Sequence, residues 1–189
     1  MAERLRAFLA LRVAAEIEAR LVELKQRLAA SGAGVRWVRD DGLHATVKFL
    51  GSVEETVLAS MRDALAAELA AFAAFDAKVK GLGVFPTMRR PRVVWAGLHA
   101  ASAGDLAARV ERIVAPFGFP PEARPFHAHI TLGRVSTPSG WARLEAELRA
   151  REQEEIGTSA ITELIGYRSD LRRDGAVYTK LWTIPFVPS

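Results

Sequence analysis

The stretch "HATVKFLG", His44 to Gly51, and the stretch "HAHITLGR", His127 to Arg134, share a His-x-Thr triplet followed by apolar residues and a glycine. The chain has four histidines, and two of them, His44 and His129, stand in this matching context 85 positions apart. Successive side chains point to opposite faces of a strand. In the first stretch His44, Thr46 and Lys48 therefore share one face, with Ala45, Val47 and Phe49 on the other. In the second, His127, His129 and Thr131 share a face, with Phe126, Ala128, Ile130 and Leu132 opposite. Each strand offers an apolar face that can pack on helices and a polar face that needs partners or a solvated cleft. One such strand says little, because a lone histidine most often bonds to a neighbour. Two of them point to duplicated halves whose His-x-Thr strands meet at one cleft.

The segments around these stretches repeat an order of elements. Leu5 to Val13 reads as a strand and Ala14 to Ser31 as a helix closed by Gly32 and Gly34. Val35 to Val38 and Leu43 to Gly51 read as strands separated by the turn "RDDG". A helical pattern then runs from Glu54 to Ala74. Asp76 to Phe85 and Arg92 to Leu98 form a hairpin around "PTMRRP". Ser102 to Phe117 is a helix, Pro125 to Val135 a strand and Gly140 to Glu155 a helix. "SAITELIGYRSDL" and "AVYTKLWTIPF" end the chain as two strands around "RRDG". No Pro/Gly/Ser-rich linker separates the halves. The pattern predicts a single α+β domain over residues 1–189, with two similar lobes, largely antiparallel sheets and outer helices.

Composition narrows the function classes. Half of the 189 residues are hydrophobic, enough for a sizeable core. The net charge is +4, and only Lys25, Lys48, Lys78, Lys80 and Lys180 are lysines, so arginine carries most of the positive charge. Arginine's planar fork matches phosphate oxygens, which tilts the reading mildly toward an anionic partner. The chain has no cysteine, which excludes disulfides, thiolate metal sites and a cysteine nucleophile. "MAERLRAFLALRV" does not read as a signal peptide. No apolar run reaches the ~18 residues of a membrane span. A cytoplasmic protein with no membrane partner is expected.

Two imidazoles and two hydroxyls suit phosphate chemistry. With an ordinary imidazole pKa of ~6.5, one ring can take a proton while the other gives one near neutral pH. Threonine hydroxyls can donate to non-bridging phosphate oxygens, and arginine can offset charge there. There is no nucleophile with an obvious activator, so the set suits direct attack by water or a substrate hydroxyl on phosphorus.

These residues, with the flanking "RPFHAH", "GVFPTMRRPRVVWAGL" and "YRSDLRRDGAVYT", resemble the two-histidine (2H) phosphoesterases. The closer resemblance is to the bacterial and archaeal RNA 2′,3′-cyclic phosphodiesterases, once described as 2′-5′ RNA ligases. It runs from about Leu5 to Phe186, with HxTx motifs at 44–47 and 129–132. It implies a bilobal, pseudo-twofold fold with the active-site groove between the lobes. It also implies metal-independent, cofactor-free opening of an RNA terminal 2′,3′-cyclic phosphate to a 2′-phosphate, with 2′-5′ ligation as the possible reverse. By the same resemblance His44 is the proton donor to the departing oxygen and His129 the acceptor from water. Thr46 and Thr131 bind the phosphate, and Arg134 falls where the family has an arginine near it. Strand alternation alone places Arg134 opposite His129, so that role needs an irregularity near Gly133. The family often has proline before the second histidine, where this chain has Ala128. The expected partners are RNA with a 2′,3′-cyclic end or cyclic nucleotides, and a groove within one chain fits a monomer.

Three other readings use the same residues. His127, His129 and His44 supply the three imidazoles of an open catalytic zinc site, although that leaves both threonines without a purpose. A non-catalytic RNA-binding module could use the arginines and aromatics. Ligation by a 5′ hydroxyl is the third; without a G-x-x-x-x-G-K-[ST] loop an ATP-driven ligase is disfavoured. "GLGVF" reads as a turn or bulge, and "MRRPR" as a basic loop, solvated or on an RNA backbone. Trp37, Phe49, Trp95 and Trp182 read as core, His99 as plain surface, and Phe8 or Tyr167 as a stacking partner for the terminal base.

Overall fold

The structure, a computed structural model, describes residues 4–172 and 175–188. Nine strands and four helices follow the chain as β1 (Arg4–Leu11), α1 (Ala15–Ala29), β2 (Val35–Trp37), β3 (Ala45–Glu54), α2 (Glu55–Glu68), β4 (Phe75–Thr87), β5 (Arg90–His99), α3 (Ala101–Val114), β6 (His129–Val135), α4 (Trp141–Ala150), β7 (Glu155–Ile161), β8 (Glu163–Arg172) and β9 (Gly175–Pro185). The strands pair antiparallel in the order β7-β4-β5-β6-β3-β1-β8-β9, with β2 beside β6. The fold is α+β with two lobes.

Along the sheet, β3 and β6 join the lobes at one residue pair, Ala45 opposite Ile130. Counting outward from that pair, β3, β1, β8 and β9 on one side correspond to β6, β5, β4 and β7 on the other. The second lobe is continuous in the chain as β4-β5-α3-β6-α4-β7. The first is β8-β1-α1-β3-α2-β9, with β8 and β9 supplied by the chain's end. This is the pseudo-twofold arrangement read from the two motifs.

Apolar spacing explains which face each element buries. Ile17, Leu21, Leu24 and Leu28 recur at helical spacing on α1, and Leu106, Val110 and Val114 on α3, all in the main core. The α1 end is marked by Gly32 at φ 71°, a left-handed position that favours glycine. On β1, Leu5, Ala7, Leu9 and Leu11 enter that core. The intervening Phe8 and Ala10 join Ile165 and Tyr167 in a smaller cluster on the opposite face.

Several boundaries differ from the expected ones. The stretch "SAITELIGYRSDL" is not one strand: it divides at Thr162 into β7, paired with β4, and β8, paired with β1. The chain crosses between lobes there, where the apolar spacing slips from Ile161 to Leu164 across Thr162 and Glu163 with no glycine or proline to mark a turn. The helix expected to reach Glu155 ends at Ala150, and the one expected to reach Ala74 ends at Glu68. Strand β6 begins at His129 instead of Pro125. The "PTMRRP" loop shrinks to Met88–Arg89, because pairing continues through Pro86–Pro91 and Thr87–Arg90. In "RRDG", Arg172 pairs with Gly175; Arg173 and Asp174 lie outside the described residues. Gly81 in "GLGVF", at φ 76°, sits at a register shift between Val79 and Leu82, which is the bulge expected. Among the described residues no helix is long and apolar enough to cross a membrane.

Candidate active site

The Ala45–Ile130 pair sets the geometry. Both side chains are buried, so their neighbours along each strand face the cleft. Continuing the antiparallel register puts His44 across from Thr131 and Thr46 across from His129. Each histidine thus lies beside the other motif's threonine.

The two imidazoles are held in the same way. His44 Nδ1 lies 2.8 Å from the Gly42 carbonyl, and His129 Nδ1 lies 2.6 Å from the His127 carbonyl. In each motif the acceptor is two residues before the histidine. A carbonyl can only accept, so Nδ1 carries the hydrogen and Nε2 keeps the lone pair or takes the catalytic proton. Neighbouring side chains are not needed to fix the tautomer.

Both strands are also irregular at the same step. Against β1, Ala10 pairs with Thr46 and Leu9 with Lys48, leaving Val47 as an extra residue. Against β5, Trp95 pairs with Thr131 and Val94 with Gly133, leaving Leu132 as the extra. Such a bulge inverts the alternation beyond it. It moves Arg134, opposite Val93, onto the cleft face, and supplies the irregularity near Gly133. The same inversion corrects the first strand. Lys48 faces the helices, not His44; it is 3% exposed and bonds both Glu111 carboxylate oxygens and the Pro120 carbonyl. Phe49, expected in the core, pairs with Phe8 on the cleft face and is 57% exposed.

The surroundings of the two histidines differ. His44 is enclosed by Phe8 at 4.7 Å, by Tyr178 edge-on at 5.0 Å and by Tyr167 at 6.1 Å. His129 meets Phe85 edge-on at 4.9 Å and Trp95 at 6.3 Å. Burial pushes the His44 imidazole down to about 4, against the Gly42 carbonyl and with the charges of Arg12, His129 and Arg134 adding to the fall. Burial lowers His129 too, with the His127 carbonyl opposing and His127 and Arg134 adding. The charge of Arg134 contributes to the lowering of both rings.

Burial corrects the expected stacking residues. Phe8 and Tyr167 stack on each other at 5.3 Å and are covered, so neither presents a free ring; Phe49 is the exposed aromatic of that lobe. Trp37 and Trp182 pack half-buried against the core as expected, whereas Trp95 turns toward His129. Arg12 was not anticipated. It closes β1 two residues beyond Ala10, the partner of Thr46, and Glu18 holds its Nη2 through both carboxylate oxygens. An arginine ending an apolar strand is a signal only once that strand is known to border the motif. Among the described residues no group of three His, Asp or Glu side chains is arranged to hold a metal ion, so His44, His127 and His129 do not assemble into the zinc set.

The profile of the family described as LigT like phosphoesterase matches residues 11–95 and 99–178. A protein of Aeropyrum pernix named RNA 2′,3′-cyclic phosphodiesterase is 35% identical over 168 residues, covering 87% of this chain and 94% of its own. The crystal structure of a Thermus thermophilus protein superposes with a TM-score of 0.82 at 29% identity, over 97% of this chain and 99% of that one. E. coli LigT complexed with 3′-AMP gives a TM-score of 0.77 at 27% identity, over 97% and 99%.

Proposed function

We propose that this chain, which belongs to the LigT-like phosphoesterase family, hydrolyses the 2′,3′-cyclic phosphate at an RNA end to a 2′-phosphomonoester without a metal. The observation that carries the reading is the matched pair of imidazoles, each locked through Nδ1 to the carbonyl two residues before it. The relatives' activity on RNA 2′,3′-cyclic phosphates and the nucleotide complex of E. coli LigT support the substrate class. Residues 1–189 form one bilobal catalytic domain in this reading.

Thr46 and Thr131 donate to the non-bridging oxygens, and Arg134 offsets their charge from the rim. His129 Nε2 takes a proton as water attacks phosphorus, and the P–O3′ bond breaks. His44 Nε2 gives its proton to the departing 3′ oxygen. The step leaves His129 protonated and His44 neutral, and exchange with solvent restores both. In the free protein the unequal surroundings leave His44 neutral more readily than His129, so this division of roles depends on the bound substrate. His44, the more enclosed ring with a pKa of about 4, is a strong acid once protonated. His129 keeps more of its basicity. A bound phosphate anion supplies the charge that lets His44 hold its proton.

The test is incubation with 2′,3′-cyclic AMP in the presence of EDTA, with the product identified by phosphorus NMR. A 2′-phosphate is expected. A 3′-phosphate would reverse which oxygen leaves, and no turnover would remove the reading.

A further inference from the structure

A groove of about 530 Å³ lies beside the histidine cleft on the second lobe, and the reaction described above does not use it. Lys78, Lys80, Trp95, His99 and Arg149 line it, with Glu152 as the one carboxylate in its wall. Arg149 is already held by Glu145. Among the described residues neither Lys78 nor Lys80 has a carboxylate within 4.0 Å. Two lysines that make no ion pair among the described residues therefore face a groove whose wall carries one carboxylate, Glu152.

The groove adjoins the histidine cleft through β5. Gly97 on β5 lies directly opposite His129. A Cβ at Gly97 would come within 2.6 Å of both His99 Nε2 and the Lys80 carbonyl oxygen, so only glycine fits where His99 folds back over the sheet. His99 Nε2 is fixed 3.0 Å from that same carbonyl. Trp95 bridges the two spaces: it is 6.3 Å from the His129 ring and lies flat over Gly83. His99 and its opposite number Lys78 lie two strand positions beyond Gly97, about 7 Å at the rise of a strand. That is one nucleotide step from the phosphate at His129.

We infer that this groove binds the single-stranded RNA segment preceding the cyclic end, with Lys78 and Lys80 on its phosphodiesters and Trp95 against a base or sugar. The inference rests on the cleft being a cyclic phosphodiesterase site. It makes the enzyme selective for a cyclic-ended oligonucleotide over a cyclic mononucleotide, through charge and not through base reading.

The test compares kcat/KM for a cyclic-ended trinucleotide and for 2′,3′-cyclic AMP, at 50 and 200 mM salt, in the wild type and in the Lys78→Ala/Lys80→Ala variant. Two phosphate contacts on a single strand predict a trinucleotide affinity about sevenfold weaker at the higher salt, over and above any change seen for the mononucleotide. The double variant should lose that excess and the trinucleotide's advantage through KM. Its hydrolysis of 2′,3′-cyclic AMP should remain within about twofold of wild type, and Lys78→Arg/Lys80→Arg should restore the advantage. Equal losses on both substrates, or a wild type that does not favour the trinucleotide, would overturn the groove while leaving the cyclic phosphodiesterase reading intact. If the wild type turned over neither substrate, the catalytic reading would fail instead. Fluorescence anisotropy with a 3′-hydroxyl trinucleotide, wild type against double variant, would then decide the groove by itself.

Discussion

The strands His44–Phe49 and His129–Arg134 match step for step through the residue after each threonine. Each histidine bonds back to a carbonyl two residues earlier, each threonine faces the cleft, and each following residue is a bulge. The bulge then turns outward a phenylalanine in one lobe and an arginine in the other. A position buried by simple alternation is thereby opened to the cleft, and the two lobes use it differently. Arg134 brings charge to the side where phosphate oxygens need it; Phe49 presents an apolar ring suited to a base. The preceding residue differs as well. Lys48 reaches across to Glu111 on α3 of the second lobe, whereas Gly133 is pressed by Val35 Cγ1, which a Cβ would meet at 2.5 Å. In the proposed reaction the symmetric pair of histidines does the proton transfer, and the departures from symmetry at Phe49 and Arg134 would distinguish the ends of the substrate.

The shared part of the comparison is broken by removing either histidine. His44→Ala and His129→Ala should each lower kcat by about 10²–10⁴ with an unchanged thermal melting curve. His127→Ala should cost far less, because that residue's carbonyl, not its ring, holds His129. Activity of His127→Ala as low as that of His129→Ala would return weight to the three-histidine arrangement.

The asymmetric part is sharpened by exchanging chemistry at the position after the bulge. Arg134→Gln should lower kcat/KM by about 10²–10³, the loss typical of one charge-stabilising donor, with partial recovery in Arg134→Lys. Steady-state kinetics of ring opening with a cyclic mononucleotide measure it. A loss below threefold would place Arg134 outside the reacting centre.

The unequal enclosure of the two rings predicts an acid-shifted pH profile. Lowered values favour neutral rings at pH 7 in the free protein, whereas the proposed reaction needs His44 charged and His129 neutral. The kcat/KM bell should therefore peak below 6.5, the ordinary imidazole value. Its alkaline limb should fall about tenfold per pH unit as the His44 proton is lost. Bound phosphate favours the charged ring, so the kcat profile should sit at higher pH. Measurement from about pH 4 to 9 with EDTA separates this from metal-bound hydroxide, whose rate rises to a plateau near the pKa of bound water, ~7.

Smaller effects come from the neutral groups. Thr46→Ala and Thr131→Ala should each cost about 1–3 kcal/mol of transition-state stabilisation in kcat/KM, and serine at either position should recover most of it. Equal damage from serine would assign the threonine methyl, hence packing, the main role. A change of similar size, confined to KM, is expected at Phe49, where alanine should weaken binding of 2′,3′-cyclic AMP by the ~1–3 kcal/mol of one stacked base and leave kcat unchanged. Tryptophan there should preserve KM; an unchanged KM in the alanine variant would leave the exposed ring without a substrate role.

The sequence by itself determined the duplicated His-x-Thr strands, the α+β class and most element positions, because alternation and helical spacing are local properties. It also limited the irregularity needed for Arg134 to the neighbourhood of Gly133. Three things required the tertiary structure. The bulges at Val47 and Leu132 exist only relative to β1 and β5, so Lys48 and Phe49 exchanged faces against local alternation. The crossing at Thr162 carries β8 to the far lobe with no glycine or proline between Ile161 and Leu164 to mark it. The enclosure of His44 combines Phe8, Tyr167 and Tyr178 from three separate strands, and the arginine charge that helps lower its pKa combines Arg12 with Arg134. An imidazole's pKa follows the solvent and charge around it, and those are set by residues that meet only when the sheet closes. Two histidines with the same local sequence therefore have different environments, and only the fold assigns each its own.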